Sequence, residues 1–163
     1  MKNTIKSLCR RIYEAFPQSP IPNWKPSVGN NSDAQAYENV FRGNIWNQIY
    51  PEVIEVWWHH DFVWIYEGTG IYYLPAYLVA SVKYPAGLVS QGLAQQFCTE
   101  YNDSPFILKL FAQMTDEQIS VTIDVLKRIK RHCANTRDTI TKIEFQKNAV
   151  AVIRILGSNE QEY

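Results

Sequence analysis

Apolar residues recur at helical spacing through most of this chain. Between Asn3 and Phe16, the residues Ile5, Leu8, Cys9, Ile12, Tyr13 and Phe16 fall at i, i+3, i+4, i+7, i+8 and i+11, with Lys6, Arg10, Arg11 and Glu14 elsewhere. That spacing predicts one amphipathic helix with one apolar stripe. Pro17, Pro20, Pro22 and Pro26, followed by Gly29-Asn30-Asn31, exclude helix and sheet and predict a surface connection over 17–31. Ser32 and Gln35 form a capping-box signature ahead of Ala36, Tyr37, Val40 and Phe41, so a second helix is expected before Gly43. Pro51 suits the first position of a third helix running to about His60, with Val53, Ile54, Trp57 and Trp58 as its buried stripe.

Phe62 to Tyr66 alternates weakly, as a short strand or as a continuation of that helix, and Gly68-Thr69-Gly70 breaks it. Ile71 to Tyr84 is apolar nearly all round, which predicts a helix through the middle of the domain. Pro75 is tolerable there only near the N-terminal end. A short helical piece is expected near Leu88 to Phe97, and Phe106 to Phe111 packs as a short apolar segment. Thr115 and Gln118 make a second capping box. Behind it, Asp116 and Glu117 open a helix whose far end carries Lys127, Arg128, Lys130 and Arg131, matching the helix dipole at both ends. Its inner face reads as Ile119, Thr122, Ile123, Leu126, Ile129 and Cys133, with the basic residues as a solvated cap. A last segment from about Ile140 to Leu156 keeps helical spacing, though Val150 to Ile153 alternates as a strand would. The expected fold is mainly α: one globular domain over residues 1–163, a bundle of about six helices with room for a minor strand pair.

Length agrees with one domain, since 163 residues bury about two thirds of the surface of the unfolded chain. The longest apolar runs are too short to span a bilayer, and the N-terminus leads into an amphipathic helix, so a cytoplasmic location is the default expectation. Charge sharpens the picture. Net charge is zero, but residues 1–50 hold six cationic against three anionic side chains, residues 51–103 one against six, and residues 104–157 nine against five. The middle stretch also holds eleven aromatic residues, and Lys83 is its one basic residue. This acidic, aromatic band either pairs with the basic flanks or faces a basic partner. Overall neutrality argues against nucleic-acid binding.

Candidate chemistry is sparse. His59 and His60 are adjacent, so on a helix they point about 100° apart and do not make a two-ligand face; no metal or other cofactor is expected. A thiol nucleophile would use Cys98 or Cys133 with one of the three histidines, yet neither thiol opens a helix after a glycine-flanked turn. Buried, reduced cysteines are the simpler reading for Cys9, Cys98 and Cys133. Glu52 and Glu55 stand one helical turn apart, the spacing of ordinary surface glutamates as much as of a carboxylate pair. Gly68-Thr69-Gly70 lacks the lysine and further glycine of a phosphate loop.

Four stretches carry a resemblance: Arg11-Ile12-Tyr13-Glu14-Ala15-Phe16-Pro17, Phe41-Arg42-Gly43-Asn44-x-Trp46, Tyr72-Tyr73-Leu74-Pro75-Ala76-Tyr77-Leu78, and Leu110-x-x-x-Met114-Thr115-x-x-Gln118. In this order they resemble an uncharacterised bacterial family of small cytoplasmic domains, of which the central Tyr-Tyr-Leu-Pro-Ala-Tyr-Leu run is the most specific part. The resemblance implies no activity.

The residues point to a non-catalytic protein-binding module. Its most concrete form is an immunity protein that neutralises a toxin domain through an acidic aromatic surface. Trp58 and Trp64 are the expected anchors, rimmed by Glu55, Asp61 and Glu67. The alternatives are a thiol-dependent hydrolase using Cys98 and a structural subunit of an assembly.

Overall fold

The structure, a computed structural model, describes residues 2–23, 32–56, 69–96, 110 and 112–133. Within them the chain is helical, as the spacing predicts, and six α-helices with one 3-10 turn account for its regular structure. The candidate strands at 62–66 and 150–153 lie outside the described residues.

Helix α1 (Lys2–Ala15) buries Leu8 and Ile12 on one stripe that Phe16 continues past its end. Pro17 ends it. Helix α2 (Ser32–Phe41) buries Ala34, Tyr37 and Phe41 at i, i+3 and i+7. Gly43 then takes a φ of 73°, a left-handed conformation open to glycine without a Cβ clash. Asn44 Nδ2 donates to the exposed Val40 carbonyl and completes that helix end. A 3-10 turn (Trp46–Gln48) follows and brings Trp46 into the core. Helix α3 (Pro51–Val56) starts on its proline as expected; its projected course to His60 lies outside the described residues.

Helix α4 (Gly70–Lys83) is the axis of the molecule. It touches α1, α3 and the 3-10 turn, as well as α5 (Leu88–Gln96) and α6 (Asp116–Cys133), so every face of it meets protein. This is why its sequence is apolar all round and why Tyr72 through Leu78 are buried without a break. Pro75 sits in the second turn, where its missing N–H leaves the Ile71 carbonyl without the usual helical donor. Burial on all sides holds the helix through that position.

Helix α6 opens with the expected capping box: the Thr115 N–H donates to Gln118 Oε1 at 2.9 Å, and the Gln118 N–H to Thr115 Oγ1 at 3.3 Å. Gln118 Nε2 also donates to the Ala15 carbonyl, which fixes the start of α6 against the end of α1. One expectation needs correction here. Val121, Val125 and Arg128 are buried along with Thr122, Leu126 and Ile129, so α6 buries a wider arc than a single stripe. Arg128 is only 7% exposed and is not part of a solvated basic cap. Its Nε donates to the Val82 carbonyl in the last turn of α4, where the helix dipole favours a cation. Burial depresses its pKa, as does Arg131, while Cys9 opposes the shift.

The ion pairs bear on the charge pattern through Glu52, Glu55 and Lys83, because Asp61, Glu67, Glu100 and Asp103 of the acidic band lie outside the described residues. Arg11 on α1 pairs with Glu117 and Asp124 on α6, which joins the two flanks to each other. Lys83 pairs with Glu52, both within the acidic band. Among the described residues, no ion pair links the band to its basic flanks.

Candidate functional site

Two features stand where the α3 segment meets the bundle: a carboxylate-bolted corner and an open aromatic cleft. The corner comes first because it contains Glu55. Glu55 Oε1 accepts from the Leu88 N–H at 2.9 Å and Oε2 from the Val89 N–H at 3.0 Å, so this carboxylate caps the N-terminus of α5. Gly87 makes room for it, since a Cβ there would overlap the Glu55 carboxylate. One turn earlier, Glu52 bonds Lys83 and accepts from the Tyr84 hydroxyl at 3.1 Å. The bond from Lys83 holds the Glu52 carboxyl below its usual range and raises the lysine in return. Ser90 Oγ donates to the Tyr84 carbonyl at 2.7 Å and closes the same turn. Both glutamates therefore have structural work inside the chain, and the i, i+3 pair is two helix bolts.

Of the expected partner-binding residues, Glu55 is thus half-buried and bonded to α5. Trp58, Asp61, Trp64 and Glu67 lie outside the described residues, as do His59, His60 and Cys98 and the side chain of Cys133. Cys9 is half-buried against the core, where burial pushes its thiol up and Arg128 opposes the shift. His132 places Nδ1 3.0 Å from the Arg128 carbonyl. Among the described residues, no three His, Cys, Asp or Glu side chains gather as a metal-binding group. Thr69, from the glycine-flanked turn, is buried and starts α4 through its carbonyl, which accepts from Tyr72 and Tyr73.

The cleft was not foreseen. It has a volume of about 630 Å³ and lies between α1, α4 and the chain from Trp46 to Pro51. Ala76 and Val79 of α4 and Ile49 supply apolar lining. Tyr13 and Tyr50 stand at its mouth, 39% and 73% exposed, and the Tyr13 ring stacks on Trp46 with centroids 5.1 Å apart and planes 22° from parallel. Trp46 is itself fixed, because Nε1 donates to the Pro17 carbonyl at 2.9 Å. Asn47 and Gln48 add amide groups to the lining.

Among the described residues, no charged side chain lines this cleft. Burial raises the Tyr13 phenol above its ordinary value, with Cys9 adding to the effect, so the hydroxyl stays a donor at neutral pH. The described lining can therefore stack a ring or an apolar chain and offer hydrogen bonds from its phenols and amides. Sequence reading placed Tyr13 in the apolar stripe of α1 and gave Trp46 and Tyr50 no role in a site. One signal was present: Gly43 to Pro51 runs nine residues without a charge, with Trp, Asn, Gln and Tyr among them. Surface turns of that length ordinarily carry charge.

Comparison with known proteins identified no matching family model, no matching curated protein and no matching solved structure. No helix among the described residues is long and apolar enough to cross a membrane.

Proposed function

We propose that this chain is a non-catalytic protein-binding module of a bacterial cytoplasm, most concretely an immunity protein that binds and neutralises a toxin domain. One observation carries the reading: the exposed rings of Tyr13 and Tyr50 line an open cleft whose described lining carries no charge. Large aromatic side chains held at a surface supply contact area at little entropic cost, and such residues dominate binding energy at protein interfaces. The cleft ends at Pro51, where the acidic, aromatic stretch begins, so the two features adjoin along the chain. In this reading Trp58 and Trp64 extend the contact, with Asp61 and Glu67 at its rim. Glu55 is left out of the rim because α5 holds its carboxylate.

The experiment is co-purification of the tagged chain with the product of its neighbouring gene, followed by calorimetric titration with that product and an assay of its toxicity in cells with and without this chain. Tight binding and loss of toxin activity are expected. Alanine at both Trp58 and Trp64 is expected to weaken binding about a hundredfold. Absence of both binding and protection would remove the immunity reading, and unchanged affinity in the double variant would move the anchors elsewhere.

A further inference from the structure

The two helices that carry most of the described cations lie side by side and antiparallel. Ala15, at the end of α1, accepts from Gln118 near the start of α6, and Arg11, one turn back, bonds Ser120 and Asp124 further along. The N-terminal half of α1 therefore runs beside the C-terminal half of α6. Neither half holds a carboxylate: no acidic residue occurs from Lys2 to Tyr13 or from Val125 to Cys133. Their pairing gathers Lys6 and Arg10 of α1 with Lys127, Lys130 and Arg131 of α6 at one end of the bundle; all but the half-buried Lys130 are exposed.

Compensation at this end is thin. Glu14 lies 3.5 Å from Arg10, and Asp124 is 4.0 Å from Lys127 while its other oxygen bonds Arg11. Among the described residues, Lys6, Lys130 and Arg131 make no ion pair. The positive end of the α1 dipole lies here as well, opposed by the negative end of α6. Neutrality of the whole chain hides the cluster, because balancing carboxylates stand elsewhere, Glu52 and Glu55 of α3 among them.

This composition favours one kind of partner. Protein interfaces are depleted in lysine and draw their energy from buried aromatic anchors. The exposed large apolar side chains among the described residues, Tyr13, Tyr50 and Leu88, stand at the cleft and at the start of α5. A helix that lies on a membrane inserts an apolar face, whereas α1 turns Leu8 and Ile12 into the core. A nucleic-acid backbone needs only cations, since it presents one negative charge per about 1.7 Å of duplex and binding releases its counterions.

We propose that this cationic end binds the phosphate backbone of a nucleic acid without reading its sequence, through Lys6 and Arg10 on one helix and Lys127, Lys130 and Arg131 on the other. None of these five residues lines the cleft, and their role does not depend on the immunity reading.

The test is fluorescence anisotropy of short labelled mixed-sequence duplexes, one of DNA and one of RNA, with the full chain at about 50 to 200 mM salt. Saturable binding is expected, equal for a scrambled sequence and weaker as salt rises. Competition between the duplexes then tells DNA from RNA as the source of the phosphates. Combining Lys127→Gln, Lys130→Gln and Arg131→Gln should weaken binding about tenfold or more and reduce the salt slope by about two to three. Lys6→Gln with Arg10→Gln should act in the same direction, and Arg42→Gln, a cation of the α2 end paired with Glu38, should change nothing. Circular dichroism should show each variant folded; the α1 pair carries the test if the α6 variant does not fold. Four results overturn the proposal: no binding of either duplex at the lowest salt, affinity that the α1 and α6 variants leave intact, an equal loss in Arg42→Gln, or binding to phosphatidylserine vesicles alone, which would assign the end to a membrane surface. Toxin binding without duplex binding removes this inference alone, and duplex binding without toxin binding removes only the immunity reading.

Discussion

Phe41 and Tyr50 stand nine residues apart and carry rings of similar size, yet they meet opposite fates. Phe41 is fully buried, with the rings of Tyr37, Tyr73 and Tyr77 around it at centroid distances of 5.9, 5.1 and 5.8 Å. Tyr50 is 73% exposed at the mouth of the cleft. What separates them is the turn at Gly43 and the anchor at Trp46. Phe41 ends the buried stripe of α2, whereas Tyr50 comes after the chain has been turned and pinned to Pro17, immediately before α3 begins. A high aromatic content therefore describes two regions with different physics: a sealed cluster that sets stability, and a rim that leaves its apolar area for a partner. Full burial of such a ring is worth about 1.5–3 kcal/mol, a gain the folded chain forgoes at Tyr50.

The largest effect should come from the sealed region. Phe41→Ala removes the ring that three others enclose and is expected to cost about 3–5 kcal/mol in urea unfolding. A cost below about 1 kcal/mol would mean that the cluster is not the centre of the core. Alkaline pH probes the same region from another side. Tyr73 donates to the Phe41 carbonyl at 2.5 Å, and burial, with Tyr72 adding to it, raises its phenol to about 12 from an ordinary 10.0. A raised folded value means that the native state holds its proton more tightly than the unfolded chain. The associated stability is full below pH 10 and falls away between 10 and 12, on the order of 2–3 kcal/mol in all. Phenolate absorbance should rise together with unfolding in that window, and Tyr73→Phe should lose this component of the pH dependence.

The corner beside the cleft ranks next. Glu55→Ala removes the acceptor at the start of α5 and should cost about 1 kcal/mol. Gly87→Ala displaces the same carboxylate, so combining the two should cost much less than their sum. Simple additivity in that double-mutant cycle would show that Gly87 and Glu55 act independently, and the account of the corner would fail.

Much of the fold was legible because its signals are local. The Thr115–Gln118 capping box, the Pro51 start, the stop at Pro17 and the all-round apolar character of α4 each depend on a few neighbouring residues, and each reads directly into the structure. The misreadings share a cause: tertiary contacts between distant segments. Arg128 has the sequence context of a solvated helix end, and only the arrival of the α4 C-terminus explains its burial. Tyr13 fits the stripe of α1 by spacing, yet it is 39% exposed and stacks on Trp46, thirty-three residues later. Glu55 has the spacing of a surface glutamate, while its role depends on Gly87 leaving space. The cleft was hidden for the same reason, being walled by α1, α4 and the turn before α3, none of which forms a motif alone.

The smallest expected change is the one that tests the comparison most directly. Tyr50→Ala removes an entire phenol, but the ring is 73% exposed and its hydroxyl has no partner among the described residues. Stability should stay within about 0.5 kcal/mol of the original in urea, the usual range for surface substitutions. Set beside the loss expected for Phe41→Ala, this near-neutral result would separate the two aromatic regions by several kcal/mol. A loss above about 1.5 kcal/mol at Tyr50 would mean that the ring supports the frame, and the cleft would then be a packing defect with no rim to offer. Stability unchanged but partner affinity reduced is the pattern of a side chain kept for contact with another molecule, because its removal harms recognition and leaves folding intact.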